Sequence, residues 1–166
     1  ALVSGFASAY PKDNLSSLSQ ALKKGQLDAL LVVGEDLIES KVDPENLRGV
    51  PIVFLGTHEN ATSKLAKVVI PTLTSFEKSG SFINRSFCLQ AFQQAVPGPA
   101  GLLPDLSILA RLISELLDGV EQDSDLDGIW REMARLSSSP LKGLSFSELK
   151  EEMIQLDASK WADLPF

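Results

Sequence analysis

The chain has one histidine and one cysteine, and both fall in a single stretch, His58 near its head and Cys88 toward its end. Between Gly56 and Asp105 run Gly56-Thr57-His58-Glu59-Asn60, Ala66-Lys67-Val68-Val69-Ile70-Pro71, Phe76-Glu77-Lys78-Ser79-Gly80-Ser81-Phe82-Ile83-Asn84, then Gln90 and Pro104-Asp105. An imidazole titrates near neutral pH and, behind the hydroxyl of Thr57, could hold a phosphate; a lone histidine with no nucleophile motif beside it also serves as a hydrogen-bonded loop anchor. Cys88 could act as a thiolate ligand or nucleophile. Only Arg85 stands close enough in sequence to favour the charged form, which points to an inert, half-buried thiol. Gly34-Glu35-Asp36 could set an acid to accept hydrogen bonds from a ribose or a guanine edge, or could leave two solvated acids behind a strand. Glu77-Lys78 ahead of Gly80 fits a functional turn and fits an exposed local ion pair equally well.

Composition narrows what these residues can serve. With 166 residues, 44% hydrophobic and 22% charged, the chain can bury one well-packed core, and two independent domains would be cramped. A formal charge of -7 disfavours nucleic acid and anionic membranes as partners, since both need a basic face. A single cysteine can form no intrachain disulfide and cannot by itself hold a zinc or iron-sulfur site. Apolar runs such as Ala29 to Val33 fall far short of the roughly 18 residues that span a bilayer, and no signal-peptide pattern opens the sequence, so direct membrane insertion is not expected and a cytoplasmic setting is. The start at Ala1, in mid-pattern, predicts a piece of something longer.

The elements that would position these residues read as alternating strands and helices. Leu2, Val3 and Phe6 suit a short first strand; Asn14 can cap a helix on Leu15, Leu18 and Leu22 that stops at Gly25. The apolar runs 29–33, 51–55 and 67–71 each end at Gly or Pro and have the look of strands buried on both faces, as in parallel sheets. Asp43-Pro44 opens a short helix or turn between the first two. The pattern predicts an α/β fold, a Rossmann-like doubly wound and mainly parallel sheet, with ligand loops at Gly34-Glu35-Asp36, 56–60 and 72–84. Residues 81–92 alternate imperfectly and suit an irregular extended segment or hairpin. Three helices follow: one from Pro104 with Leu106, Leu109, Leu112, Ile113, Leu116 and Leu117 making one apolar face; one after the acidic turn 123–127; and one capped by Ser145 and Glu148 with Leu149, Met153 and Leu156 inward. Residues 1–120 are expected to form the Rossmann-like unit and 121–166 a helical extension packed on it. No apolar run leads into G-x-G-x-x-G and no G-x-x-x-x-G-K-[ST] occurs, so ordinary dinucleotide and P-loop binding find no support.

In their order and spacing these loops resemble the molybdopterin oxidoreductase fold, and within it the large subunit of bacterial NADH:quinone oxidoreductase, respiratory complex I. Gly34-Glu35-Asp36 is similar to that family's G-E-N or G-E-D turn. Gly56 to Asn60, Ala66 to Pro71 and Glu77 to Asn84 follow the order of the complex I branch's G-T-H-G-D, A-D-V-I-L-P and E-K-x-G-T-(Y/F)-x-N, with Gln90 where the final Gln belongs. Pro97-Gly98-Pro99-Ala100 and Pro104 to Leu109 are similar to its P-P-G-x-A and (R/E)-x-D-W-x-I-(L/I). The match covers about 27 to 112.

Three departures stand out: Ser86-Phe87-Cys88 where the family has E-G-R, Lys67 for the Asp of A-D-V, and Leu106 for the Trp after Asp105. In catalytic relatives the resemblance implies a domain that helps hold the nucleotide of a pterin guanine dinucleotide, and a lost Arg removes a bidentate phosphate partner. It implies as well that the complex I branch keeps the fold as a structural domain, with iron-sulfur clusters only in the N-terminal part of the subunit.

The expectation is therefore a non-catalytic domain of a subunit passing electrons from NADH to quinone. Its partners would be the rest of the subunit and neighbouring peripheral-arm subunits, in the cytoplasm or at the cytoplasmic face of the inner membrane. The alternative is a fragment of a molybdopterin-dependent oxidoreductase, with Gly34, Glu35, Asp36, Thr57, His58, Thr62, Asn84 and Gln90 lining a guanine-dinucleotide cleft. On the first reading these eight residues are vestigial.

Overall fold

The structure, a computed structural model, describes residues 15–122, 124–135, 141, 143–149 and 152–157. The strand expected at Leu2 to Phe6 and the cap expected at Asn14 lie outside the described residues. The described residues fall into two compact units, one within 15–74 and 99–105, the other within 75–98 and 106–157.

In the first unit, helix α1 (Leu15–Lys23) ends as its sequence predicts. Gly25 takes φ +62°, which lets its N–H reach the Leu22 carbonyl while Gln26 N–H reaches that of Ala21, the paired bonds of a Schellman stop. Strand β1 (Leu30–Val33) follows, then α2 (Pro44–Leu47), where Asp43 accepts from Glu45 N–H and Pro44 needs no donor of its own. Strands β2 (Ile52–Gly56) and β3 (Val68–Pro71) complete a parallel sheet in the order β1-β2-β3. Leu30 pairs with Ile52 and Val33 with Leu55; Val53 pairs with Val68 and Leu55 with Ile70.

Alternate residues face opposite sides of a strand, so Val32, Ile52 and Phe54 point together into a core completed by Leu22, Leu37, Val42 and Leu47. The opposite side is covered only in part. Leu55 is buried, while Leu31, Val33 and Val68 keep 45%, 45% and 46% of their surface exposed. The α/β class and the parallel sheet thus agree with the sequence reading. Among the described strands the order is sequential, so no reversal of strand order, and hence no topological switch point, occurs there.

In the second unit the imperfect alternation resolves as an antiparallel hairpin, β4 (Gly80–Ile83) and β5 (Cys88–Phe92), with Gly80 opposite Phe92. Helix α3 runs from Asp105 to Leu116 and α4 from Leu126 to Arg135. Trp130 of α4 packs with Leu89 of β5, Leu141, Phe146, Leu149 and Leu156. The capping box reads true: Glu148 Oε2 accepts from Ser145 N–H at 2.8 Å and Ser145 Oγ at 2.7 Å.

One helical expectation needs correction. Among the described residues helix α5 covers Phe146–Leu149, and Ile154–Gln155 forms strand β6 against Cys88 and Leu89. The spacing of Leu149, Met153 and Leu156 suits a helix, but β5 offers backbone groups that need partners, and strand pairing satisfies them. Met153 is accordingly 65% exposed. On α3 the expected apolar face is open at its C-terminal half, with Leu116 at 72% exposure and only Ala110 of the helix buried. Periodicity marks an apolar stripe without saying what covers it.

Candidate nucleotide cleft at the strand ends

Ligand loops in an α/β unit follow the carboxyl ends of the strands, and the loops after β1 and β2 are joined here by one side chain. Asp36 Oδ1 accepts from Thr62 Oγ1 at 2.7 Å, from Ile38 N–H at 3.1 Å and from Glu39 N–H at 3.4 Å; its Oδ2 accepts from Ala61 N–H at 3.1 Å. The Thr62 hydroxyl, above all, holds the Asp36 carboxyl below its ordinary pKa, with the amides of Ala61, Glu39 and Ile38 adding to it against the opposing effect of desolvation. Thr62 has no exposed surface, and its hydroxyl also accepts from Ile38 N–H at 3.3 Å. Next to it, Asn60 and Ser63 clasp each other: Ser63 N–H donates to Asn60 Oδ1 and Asn60 N–H to Ser63 Oγ, both at 2.8 Å. The reciprocal bonding is like that of a capping box and lies just ahead of the 3-10 turn Ser63–Leu65, whose own N-cap residue, Thr62, makes no side-chain cap bond.

Beside this loop lies an open cleft of about 410 Å³ at the ends of β2 and β3. Its lining has an apolar part, Phe54, Gly56, Val69 and Pro71, and a polar part, Thr57, His58, Glu59, Ser63 and Lys64. Thr57 Oγ1 and His58 Nδ1 lie 2.8 Å apart, and Lys64 Nζ meets Glu59 Oε1 at 3.3 Å with both side chains largely exposed. Gly56 makes room for the buried Phe54 ring: a Cβ there would come within 2.4 Å of it. After β3, Thr72 N–H continues the ladder to Gly56 O, and its hydroxyl ties down the Leu103 carbonyl at 2.9 Å.

Of the eight residues singled out in the sequence, Thr57 and His58 line this cleft. Gly34 closes β1 at φ +68°, donating its N–H to Leu55 O, while exposed Glu35 accepts from Ser40 Oγ. Asp36 and Thr62 do not line the cleft; their polar atoms are engaged with each other and with backbone.

Asn84 and Gln90 belong to the second unit. Asn84 Oδ1 holds the hairpin turn by accepting from Ser86 and Cys88 N–H, and Gln90 stands opposite Phe82, half-buried. Cys88 is half-buried too, its thiol donating to Gln155 Oε1 at 3.0 Å. Glu77 and Lys78, for which an exposed turn was one reading, are half-buried. Sequence reasoning missed Lys64, Ser63 and the apolar lining. A basic residue inside the loop between two strand-like runs was the available signal for Lys64.

The chain matches the molybdopterin oxidoreductase family over residues 3–115, and it belongs to that family. It is 29% identical over 146 residues to the F420-dependent formate dehydrogenase 2 subunit alpha of Methanococcus maripaludis, an alignment covering 82% of this chain and 20% of that protein. It is 30% identical over 130 residues to the putative formate dehydrogenase YrhE of Bacillus subtilis, covering 75% of this chain and 13% of that one. With a subunit of the tungsten-containing formylmethanofuran dehydrogenase 2 of Methanocaldococcus jannaschii it shares 25% identity over 118 residues, 67% of this chain and 27% of the relative. The chain therefore spans about a fifth of the length of the curated relatives it matches, between 13% and 27%. Among the described residues no helix is long and apolar enough to cross a membrane.

Proposed function

We propose that this chain is the part of a molybdopterin-dependent oxidoreductase that holds the nucleotide end of a pterin guanine dinucleotide, in the cleft at the ends of β2 and β3. The observation that carries this reading is the cleft's mixed lining at parallel strand ends in a member of this family. Val69 and Pro71, backed by the buried Phe54 ring, offer apolar surface to a base. Thr57, Ser63, His58 and Lys64 offer hydroxyl, imidazole and ammonium groups to ribose and phosphate. Lys64 spends its charge on Glu59, and a phosphate could take over that partner at little cost because the pair is exposed.

Among the described residues no group of three or more His, Cys, Asp or Glu could hold a metal ion. When bound, such a cofactor supplies the electron-transfer chemistry; this chain's residues bind and orient it. The names of the three relatives support a parent enzyme that acts as a dehydrogenase on formate or a formyl group.

A second reading keeps the large subunit of complex I, in which the domain is structural and packs against the rest of its subunit and the neighbouring peripheral-arm proteins. The sequence departures at Ser86-Phe87-Cys88, Lys67 and Leu106 favour it. Calorimetric titration with GDP separates the two. The cofactor reading expects a Kd on the order of 1–100 µM, weakened about tenfold or more by Lys64→Glu. No saturable heat from the wild-type chain would leave the structural reading standing.

A further inference from the structure

We propose that Asp36 and Thr62 are positioning residues: a brace that fixes the loop after β2 in the shape of the cleft while touching no ligand. Both carboxylate oxygens of Asp36 are taken by internal donors, three on Oδ1 and one on Oδ2, and the donors at Ala61 and Thr62 lie 25 and 26 residues away in sequence. Thr62 has no surface from which to meet a ligand, and its hydroxyl both donates to Asp36 and accepts from Ile38 N–H. The braced residues 61 and 62 sit between the two polar groups of the cleft lining, Thr57 to Glu59 on one side and Ser63 and Lys64 on the other. Fixing 61 and 62 to the β1 loop therefore sets where both groups stand. The Asn60–Ser63 clasp shapes the loop locally, whereas the Asp36 carboxylate anchors it across to β1.

The consequence for ligand affinity rests on the reading of the cleft given above; the brace itself does not. Asp36→Asn replaces an accepting oxygen with a donor, Thr62→Val removes the hydroxyl at nearly constant volume, and Thr62→Ser keeps it. Amide hydrogen exchange of the full chain is followed together with GDP affinity. The brace predicts that Asp36→Asn and Thr62→Val each speed exchange at Ala61 and through 57–60 by about tenfold or more, with the β2 amides unchanged. It also predicts that each weakens GDP several-fold and that Thr62→Ser stays close to wild type.

If Asp36→Asn abolishes GDP binding while Thr62→Val changes neither exchange nor affinity, Asp36 is a ligand contact and the brace is overturned. Unchanged loop exchange in both variants overturns it as well. Should the wild type take up no GDP, the cofactor reading falls and exchange alone decides the brace. Should Asp36→Asn fail to fold, Thr62→Val decides it.

Discussion

Two carboxylates show how single residues hold loops in this chain, and both give a pH dependence. Asp36 is held below its ordinary pKa of 3.8, chiefly by the Thr62 hydroxyl, and Glu148 below its ordinary 4.5, chiefly by the Ser145 hydroxyl and then by the Ser145 amide. A carboxyl with a depressed folded-state pKa stabilises the fold above its unfolded-state value and loses that contribution as pH falls through the folded one. The double variant Asp36→Asn, Glu148→Gln should therefore melt below wild type at neutral pH, with the gap closing as pH drops beneath 4.5 and then 3.8. A gap that persists unchanged to about pH 2 would show that these hydrogen bonds do not favour the ionised form. Asn84→Ala should cost about 1 kcal/mol, since its carboxamide oxygen takes two backbone N–H groups of the hairpin turn, and chemical denaturation would measure it. The Ser145 and Glu148 pair was legible in sequence because its three-residue spacing is local. The Asp36 to Thr62 contact was not, because nothing in the spacing of residues 26 apart says that two loops meet.

At the scale of elements, two glycines face aromatic rings. A methyl at Gly56 would stand 2.4 Å from the Phe54 ring, and one at Gly80 would stand 2.7 Å from that of Phe92 across the hairpin. Phe54 is 1% exposed, so its ring has little room to yield; Gly56→Ala should destabilise by about 1–3 kcal/mol and distort the cleft wall that this ring supplies. Thermal melts of Gly56→Ala would check it, and an unchanged melting temperature would show that the ring swings aside freely. In the second unit, Trp130→Ala should cost about 3–5 kcal/mol, because Trp130 joins α4 to the core built on Leu89, and a lower midpoint in chemical denaturation would register it. The three parallel strands were readable from apolar runs ending at Gly or Pro, and α1 from its leucines and Gly25. Strand β6 was not, since Leu149, Met153 and Leu156 repeat at a helical interval and only the pairing needs of β5 decide for extended backbone.

For the whole molecule, motif order carried more than any single residue. Gly34-Glu35-Asp36, Gly56 to Asn60, Ala66 to Pro71 and Glu77 to Asn84 together placed the chain in its family, which the match over 3–115 supports independently. The choice of branch within the family was harder to read: motif order pointed to complex I, while the relatives found are named as dehydrogenases of formate, one of them putative, and of formylmethanofuran. Which residues line the cleft depends on how β2 and β3 align, a register in which Gly56 meets Pro71 and which periodicity alone does not specify. The most direct test of the central claim is a titration of isotopically labelled chain with GDP, followed through backbone amide and Lys64 side-chain NMR shifts. The cofactor reading predicts saturable shifts concentrated at 56–59, 63–64 and 69–70. No saturable shift, or shifts confined to the second unit, would contradict it.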